Sequence, residues 1–507
     1  MNDPSNVDYN DMQGLLRFGY GKLTAACFLL LRIDDVLSAS KWISRASTSS
    51  AELQNPPPSH SLQIALTHQG LRRLGVPDEI LSGFSTEFLS GMAGDDNRSR
   101  RLGDIGANAP DYWLWGGKDS IPDLLVMIYA IPDQFGAFKQ RIQTELGESG
   151  FTLLACLPTS DMDGVEPFGF VDGVSGPAVD WERRRDPSGD KTDYENVVML
   201  GEFVLGYPNE YGKYTTRPMI ADVSADLPNA EDQSGMKDIG RNGTYLVMRQ
   251  LEQDVRGFWR YLSQQANNDR FQAENLAEML VGRKMSGDPL LPISREEING
   301  VGPDAVDQRR NRFTFQSDPD GIVCPLGAHV RRANPRNTDL PPNTSARLIS
   351  RLLRILALDR LGRNGNAPRD LIGSTRFHRL LRRGREYGPE VPPAERFNIA
   401  VPNEGPTGLN FICLNANIGR QFEFVQSAWI MDSKFDGLSS ESDPLLGNRE
   451  PVAGCPVSNF SLPVSNGIRR QLEDVPRFVT VRGGAYFFLP GLRALRYLAS
   501  AAKVSSS

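Results

Sequence analysis

The sequence predicts an α+β fold in which one order of elements, the split βαβ plan, is run through twice. Three observations carry that prediction. Short apolar runs bounded by polar or turn-forming residues, such as Leu124-Leu-Val-Met-Ile-Tyr-Ala-Ile131, read as buried strands. Val255, Phe258, Trp259 and Leu262 fall at i, i+3, i+4 and i+7, the spacing of an amphipathic helix. The order of strands and helices before Leu157 then returns after Gly243.

In chain order, Ala25-Ala-Cys-Phe-Leu-Leu-Leu-Arg-Ile33 reads as the first buried strand. Gln54-Asn-Pro-Pro-Pro-Ser-His60 is a stiff Pro-rich loop that leaves His60 exposed. Residues 64–70 read as a strand end and a turn, and 71–89 as helix in pieces, broken at Pro77. Asp111-Tyr-Trp-Leu-Trp115 brings two of the six tryptophans together. A helix over 134–146 and a strand over 151–157 close the first round. In the second, 243–248 and 409–414 are strands, 421–429 is helical, and 478–481 and 486–489 are the last strands. The charged, Gly/Pro-bearing stretch 182–195 is a loop. A similar stretch, 218–240, divides the chain into domains at 1–235 and 236–507. No short-period repeat is present.

Composition narrows the function classes. Hydrophobic residues at 39% and charged residues at 23% fit a soluble globular protein of 507 residues. A net charge of −6 argues against bulk attraction to nucleic acid. The five cysteines are odd in number, widely spread and without a C-x-x-C pair, so reduced thiols are expected rather than a disulfide framework or a zinc site. The polar start lacks a signal peptide, which makes cytoplasmic residence the expectation and four N-x-[ST] triplets chance. Cys27-Phe-Leu-Leu-Leu31 is too short to span a bilayer.

Three stretches carry chemistry. Cys324-Pro-Leu-Gly-Ala-His329-Val-Arg-Arg-Ala-Asn-Pro-Arg336 holds one of four histidines, followed by Arg331, Arg332 and Arg336. It is open to two readings: an axial ligand for haem iron with guanidinium forks for carboxylates, or a surface histidine in a basic loop. Phe168-Gly-Phe-Val-Asp172-Gly173-Val-Ser-Gly-Pro177 sets one carboxylate among glycines. Such a group is either a tuned proton shuttle or part of a structural turn. His378-Arg379-Leu-Leu-Arg382-Arg383-Gly384-Arg385-Glu-Tyr387-Gly-Pro389 offers either a fixed cation beside a breaking bond or a solvated basic face.

Gly169-Phe-Val-Asp-Gly173, His329 with Asn334-Pro-Arg336, and Arg382-Arg-Gly384 resemble, in order, the motifs of the dye-decolourising peroxidases. The likeness extends to Gln13-Gly14, Gly201-Glu-Phe-Val-Leu-Gly-Tyr-Pro208, Gln421-Phe-Glu-Phe-Val-Gln426 and Val481-Arg-Gly-Gly-Ala-Tyr-Phe-Phe-Leu-Pro490. The resemblance implies two ferredoxin-like domains of the dimeric α+β barrel type, with haem b held mainly by the second. It implies His329 as iron ligand, Asp172 of the Gly-x-x-Asp-Gly motif as distal acid-base residue and Arg382 as distal arginine. Arg336 becomes a propionate partner, Leu409 and Phe411 distal-pocket walls, Gly173 part of the cofactor site, and Asp443 the acceptor behind His329. Tyr387 and Trp429 fall where the family has oxidisable surface residues that relay electrons.

The implied activity is reduction of hydrogen peroxide with one-electron oxidation of organic reductants, namely anthraquinone or azo dyes and phenolics. The alternative is a protein that stores, delivers or strips haem with little turnover, for which the pair Asp172 and Arg382 has no use. Neither a membrane nor nucleic acid is an expected partner, and self-association is open. Residues 337–375 form a longer passage than the family's usual one between His329 and Arg382, with a helix expected to start near Ser345.

Overall fold

β1 (Ala25–Ile33) lies between two antiparallel neighbours, β3 (Leu124–Ala130) and β4 (Phe151–Pro158), and β3 in turn pairs with β2 (His60–Leu66). The order is β4-β1-β3-β2. The second half repeats it. β5 (Thr244–Gln253) runs between β9 (Val479–Leu489) and β8 (Gly408–Asn415). The far edge of β8 is taken by two short strands, β6 (Leu381–Arg382) and β7 (Arg385–Tyr387). Each half is therefore ferredoxin-like. β9 also meets β2, Phe488 opposite Leu66, and this joins both halves into one nine-stranded sheet.

This computed structural model describes residues 7–185, 196–222, 224–292, 310–311, 313–336, 374–397, 405–451, 454–464 and 470–501. The helix expected near Ser345 lies outside them, as does most of 337–375 and of the loop 182–195.

Alternation along each strand sends successive side chains to opposite faces. Leu29, Leu31, Val247, Cys413 and Phe488 pack on one face, under the helices. Phe28, Leu30, Leu246, Ile412 and Phe487 pack on the other, under the N-terminal segment and residues 198–207. The longer helices, with the short one that carries His329, are α1 (Val36–Arg45), α2 (Pro132–Glu148), α3 (Val255–Gln265), α4 (Arg270–Val281), α5 (His329–Ala333) and α6 (Leu492–Ser500), and short helical turns fill 68–102. Among the described residues, no helix is long and apolar enough to cross a membrane.

Four local expectations need correction. The first crossover helix is α1, a segment not read as helix, although Asp35 caps it by accepting from the Leu37 and Ser38 amides. His68–Arg73 is a short helix rather than a turn, because the Thr67 side chain caps it at the Gly70 amide. The two final strands are one, Val479–Leu489, bent by an irregularity between Val481 and Gly483. The helical stretch Gly419–Ile430 is π-wound, with Glu423 N donating to Ile418 O (2.9 Å) and Met431 N to Gln426 O (3.0 Å). His60 is exposed, as expected, but opens β2 and lies 4.5 Å from the Phe138 ring.

The passage 218–240 is anchored rather than loose. Met219–Ile220 pairs with Lys237–Asp238, and buried Arg217 donates to Asp238 at 2.6 Å. We propose the division between the two halves here, at 235/236.

Gln13 staples the seam between the half-sheets. Fully buried, it donates to Ile64 O (2.8 Å) on β2 and to Pro490 O (3.0 Å) just past β9, and accepts from Ile64 N (2.9 Å). Gln13→Ala leaves three backbone groups to find new partners, which costs ~1–3 kcal/mol of stability for buried polar groups. A urea titration is expected to show that loss; an unchanged midpoint would contradict the staple.

Candidate active site

The histidine segment is held by buried cations. The Asp318 carboxylate accepts from the Ile322, Val323 and Cys324 amides (2.7, 3.0 and 2.9 Å), and this turn delivers the chain to α5. Arg331 is fully buried and donates to Cys324 O (2.9 Å) and Asp318 O (3.0 Å). Arg332, also fully buried, donates to Trp429 O (2.8 Å), Asp432 O (2.9 Å) and Glu441 O (2.6 Å). Arg336, in the left-handed region at φ 60°, donates to Asn311 O (2.9 Å) and Phe313 O (2.8 Å) and stacks 3.8 Å above the Phe313 ring. The basic-loop reading fails here, because these three guanidinium groups clamp carbonyls in the interior.

The clamp of Arg332 brings residues 429–441 against α5, and Asp443 follows two residues later. Its carboxylate accepts from the Leu445 and Leu446 amides on one oxygen (2.9 and 2.8 Å) and lies 2.9 Å from His329 Nδ1 on the other. Burial alone raises Asp443, yet His329 and these hydrogen bonds hold it below its ordinary range. An ionised carboxylate there makes Nδ1 the donor and leaves His329 Nε2 a lone pair. Burial lowers the imidazole pKa, but Asp443 outweighs it and the net direction is up. His329 lines a large, mostly apolar cavity. His378 lines it too, but its ring is stacked on Phe424 at 3.7 Å. Among the described residues, no group of three His, Cys, Asp or Glu could hold a bare metal ion.

Asp172 and Arg382 enter the same cavity and pair with each other at 3.0 Å. Register explains Arg382. It sits opposite Cys413, so it shares the face of β8 that carries Leu409 and Phe411, both on the cavity wall. The residues before Asp172 are organised by Glu166. Its carboxylate accepts from the Phe168 and Phe170 amides (3.1 and 3.0 Å) and from Gln253 Nε2 (2.8 Å). Gly169 has φ 105°, and a Cβ there would strike the Arg396 guanidinium. Gly173, at φ 83°, is exposed next to Asp172. Burial raises the Asp172 carboxyl, but Arg382, the Gly173 amide and His329 together hold it below the usual carboxylate range.

Arg336 lines the cavity, as do Trp429 and a buried ion pair, Asp104 with Arg249. Tyr387 and Trp429 are not surface residues, being 7% and 9% exposed. Tyr387 ends a strand packed on β8, and Trp429 is enclosed by His378 and Phe424. Glu166, Gln253 and the Asp104–Arg249 pair were not anticipated. For Glu166 a signal existed, a carboxylate two residues ahead of an apolar glycine turn. For the others none did, since they meet only through the sheet.

Glu166 generates a pH prediction. Burial, partly offset by Gln253 and the two amides, pushes its carboxyl up to about 7. The folded chain then keeps a proton that the unfolded chain releases, so the stability Glu166 contributes falls as pH rises from the ordinary carboxylate range towards about 7. Glu166→Ala is expected to cost about 1–3 kcal/mol at acid pH by loss of the three acceptor contacts. The penalty should shrink as pH rises from the ordinary carboxylate range to about 7 and level off above it. Melting temperatures of both proteins across pH check this; a penalty that grows with pH contradicts it.

No family model matches the chain. Its sequence is similar to the dye-decolorizing peroxidase AauDyP1 of Auricularia auricula-judae, 27% identical over 522 residues, 97% of this chain and 87% of that protein. It is similar also to msp1 of Mycetinis scorodonius, 27% over 463 residues (87% and 77%), and to the multifunctional dye peroxidase DyP2 of an Amycolatopsis species, 28% over 384 residues (72% and 67%). A solved structure of the Auricularia auricula-judae decolorizing peroxidase matches with a TM-score of 0.67 at 25% identity, over 97% of this chain and all of that one. In sequence and in fold alike, the chain is similar to dye-decolourising peroxidases.

Proposed function

We propose that the protein is a haem peroxidase that reduces hydrogen peroxide and oxidises bulky organic substrates, anthraquinone or azo dyes and phenolics, by one-electron steps. The observation that carries this reading is the 3.0 Å pair of Asp172 and Arg382 in the cavity that also holds the Asp443-backed His329. The donor set suits haem b. An imidazole with its far nitrogen given to a carboxylate is a basic axial ligand once Nε2 gives up its proton, and mostly apolar walls suit a porphyrin. His329 would hold the iron, and Arg336 on the cavity wall would face a propionate. Bound haem supplies the iron that takes up peroxide and stores its oxidising equivalents.

The chain's own residues handle proton and charge. Asp172, held below the usual carboxylate range, is ionised at neutral pH and competent to take a proton from one peroxide oxygen and return it to the other. Arg382 stabilises negative charge on the departing oxygen as the O–O bond lengthens. Leu409 and Phe411 narrow the space beside them and keep bulky reductants out. Electrons from such reductants must then cross the protein, and we assign Tyr387 and Trp429 as buried steps. A store or carrier of haem gains nothing from an acid-base residue paired with a guanidinium. Small-molecule partners in the cytoplasm, rather than nucleic acid, fit the reading, since Arg331, Arg332 and Arg336 offer no phosphate-binding face.

Stopped-flow mixing of the haem-loaded protein with hydrogen peroxide tests it. Asp172→Asn and Arg382→Leu should retain the pigment but slow peroxide cleavage by about 100-fold or more, the scale of a lost general base or charge stabiliser. Unchanged rates in both variants would overturn the proposal.

A further inference from the structure

The five cysteines are free thiols, yet two of them are neighbours. Cys27 on β1 and Cys156 on β4 place their sulfurs 3.1 Å apart. The register accounts for this: Cys156 faces Leu29, and Cys27 is two residues along the same strand, on the same face. Cys27 is fully buried, whereas Cys156 is partly exposed on the outermost strand of the first half. Neither lines the cavity described above.

We propose that Cys27 and Cys156 are a peroxide-oxidisable dithiol, with Cys156 the attacking thiolate and Cys27 the resolving thiol. The two sulfurs differ in the way such a pair requires. The contact with Cys27 and the nearby Lys139 ammonium, against burial, lower the Cys156 thiol from its ordinary range. The Cys156 contact and burial push Cys27 up. The more accessible sulfur is thus the one whose thiolate its surroundings favour, and the buried one holds its proton better.

In the first step the Cys156 thiolate attacks one oxygen of hydrogen peroxide. A sulfur–oxygen bond forms, the O–O bond breaks, and the leaving hydroxide takes a proton to become water. The Cys156 sulfur, oxidised to a sulfenic acid, is then attacked by Cys27. A sulfur–sulfur bond forms, the sulfur–oxygen bond breaks, and the Cys27 proton leaves with the hydroxyl as a second water. Two thiols lose two hydrogens and one peroxide becomes two waters. The sulfurs must approach by only ~1 Å to reach disulfide bonding distance. The linkage would pin β4 to β1.

The test is a non-reducing peptide map of the full haem-loaded chain, before and after excess hydrogen peroxide, with remaining thiols alkylated in denaturant. The expected result is a linked pair of peptides carrying Cys27 and Cys156, with loss of both from the alkylated pool and their return on treatment with dithiothreitol. In Cys27→Ala, dimedone should trap Cys156 as its sulfenic acid; in Cys156→Ala, Cys27 should stay alkylatable. The proposal is overturned if Cys27 and Cys156 stay unlinked in the native chain while exposed Cys455 is oxidised, or if no thiol reacts.

Discussion

The site depends on a hydrogen bond between residues 114 positions apart, His329 Nδ1 to Asp443 at 2.9 Å. A histidine has two nitrogens and one of them must be spent for the other to act as a fixed donor. Asp443 spends Nδ1, and its own second oxygen is tied to two backbone amides, so the carboxylate cannot rotate away. The ring orientation is thus inherited from the backbone at 443–446. That backbone is in turn fixed by Arg332, whose guanidinium reaches three carbonyls between Trp429 and Glu441. Burying a cation among carbonyls offsets desolvation only when its donors are met, and most of those of Arg332 are.

The ferredoxin-like plan, used twice, supplies the two remaining groups from different halves. Asp172 comes from the chain that follows the first half-sheet, and Arg382 from the edge of the second. Neither is positioned by its own segment alone. Glu166 borrows Gln253 of β5 to hold the turn before Asp172, and Arg382 takes its direction from the pairing of β6 with β8. The 3.0 Å contact between carboxylate and guanidinium therefore reports the alignment of both halves at once. It also sets the chemistry: a nearby cation overcomes the penalty that burial puts on the charged carboxylate.

Much of the frame was legible in the sequence, because bounded apolar runs and the 255–262 periodicity are local signals. Six of the main strands and α2 and α3 follow from them. α1 was missed although Asp35 announces it, since its apolar positions are diluted by serines. The bend that makes one strand of Val479–Leu489 was hidden by Arg482-Gly-Gly484, which reads as a break but is an irregularity in pairing. At the site, the residue types were visible but their setting was not. Arg331, Arg332 and Arg336 look alike in a basic run as solvated or as interior groups. Only the carbonyls of residues about a hundred positions away decide for Arg332. The burial of Tyr387 and Trp429 is likewise a tertiary fact, invisible to any local pattern.

The central claim is that the Asp443-held imidazole of His329 is the ligand this cavity offers to haem iron. Titration of the haem-free chain with ferric haem, followed by its absorption spectrum, tests it most directly. The account predicts a histidine-bound spectrum that saturates at one haem per chain. It also predicts loss of that spectrum in His329→Ala, with partial return when free imidazole is added. A His329→Ala protein that binds haem with the same spectrum and stoichiometry as the parent would contradict it.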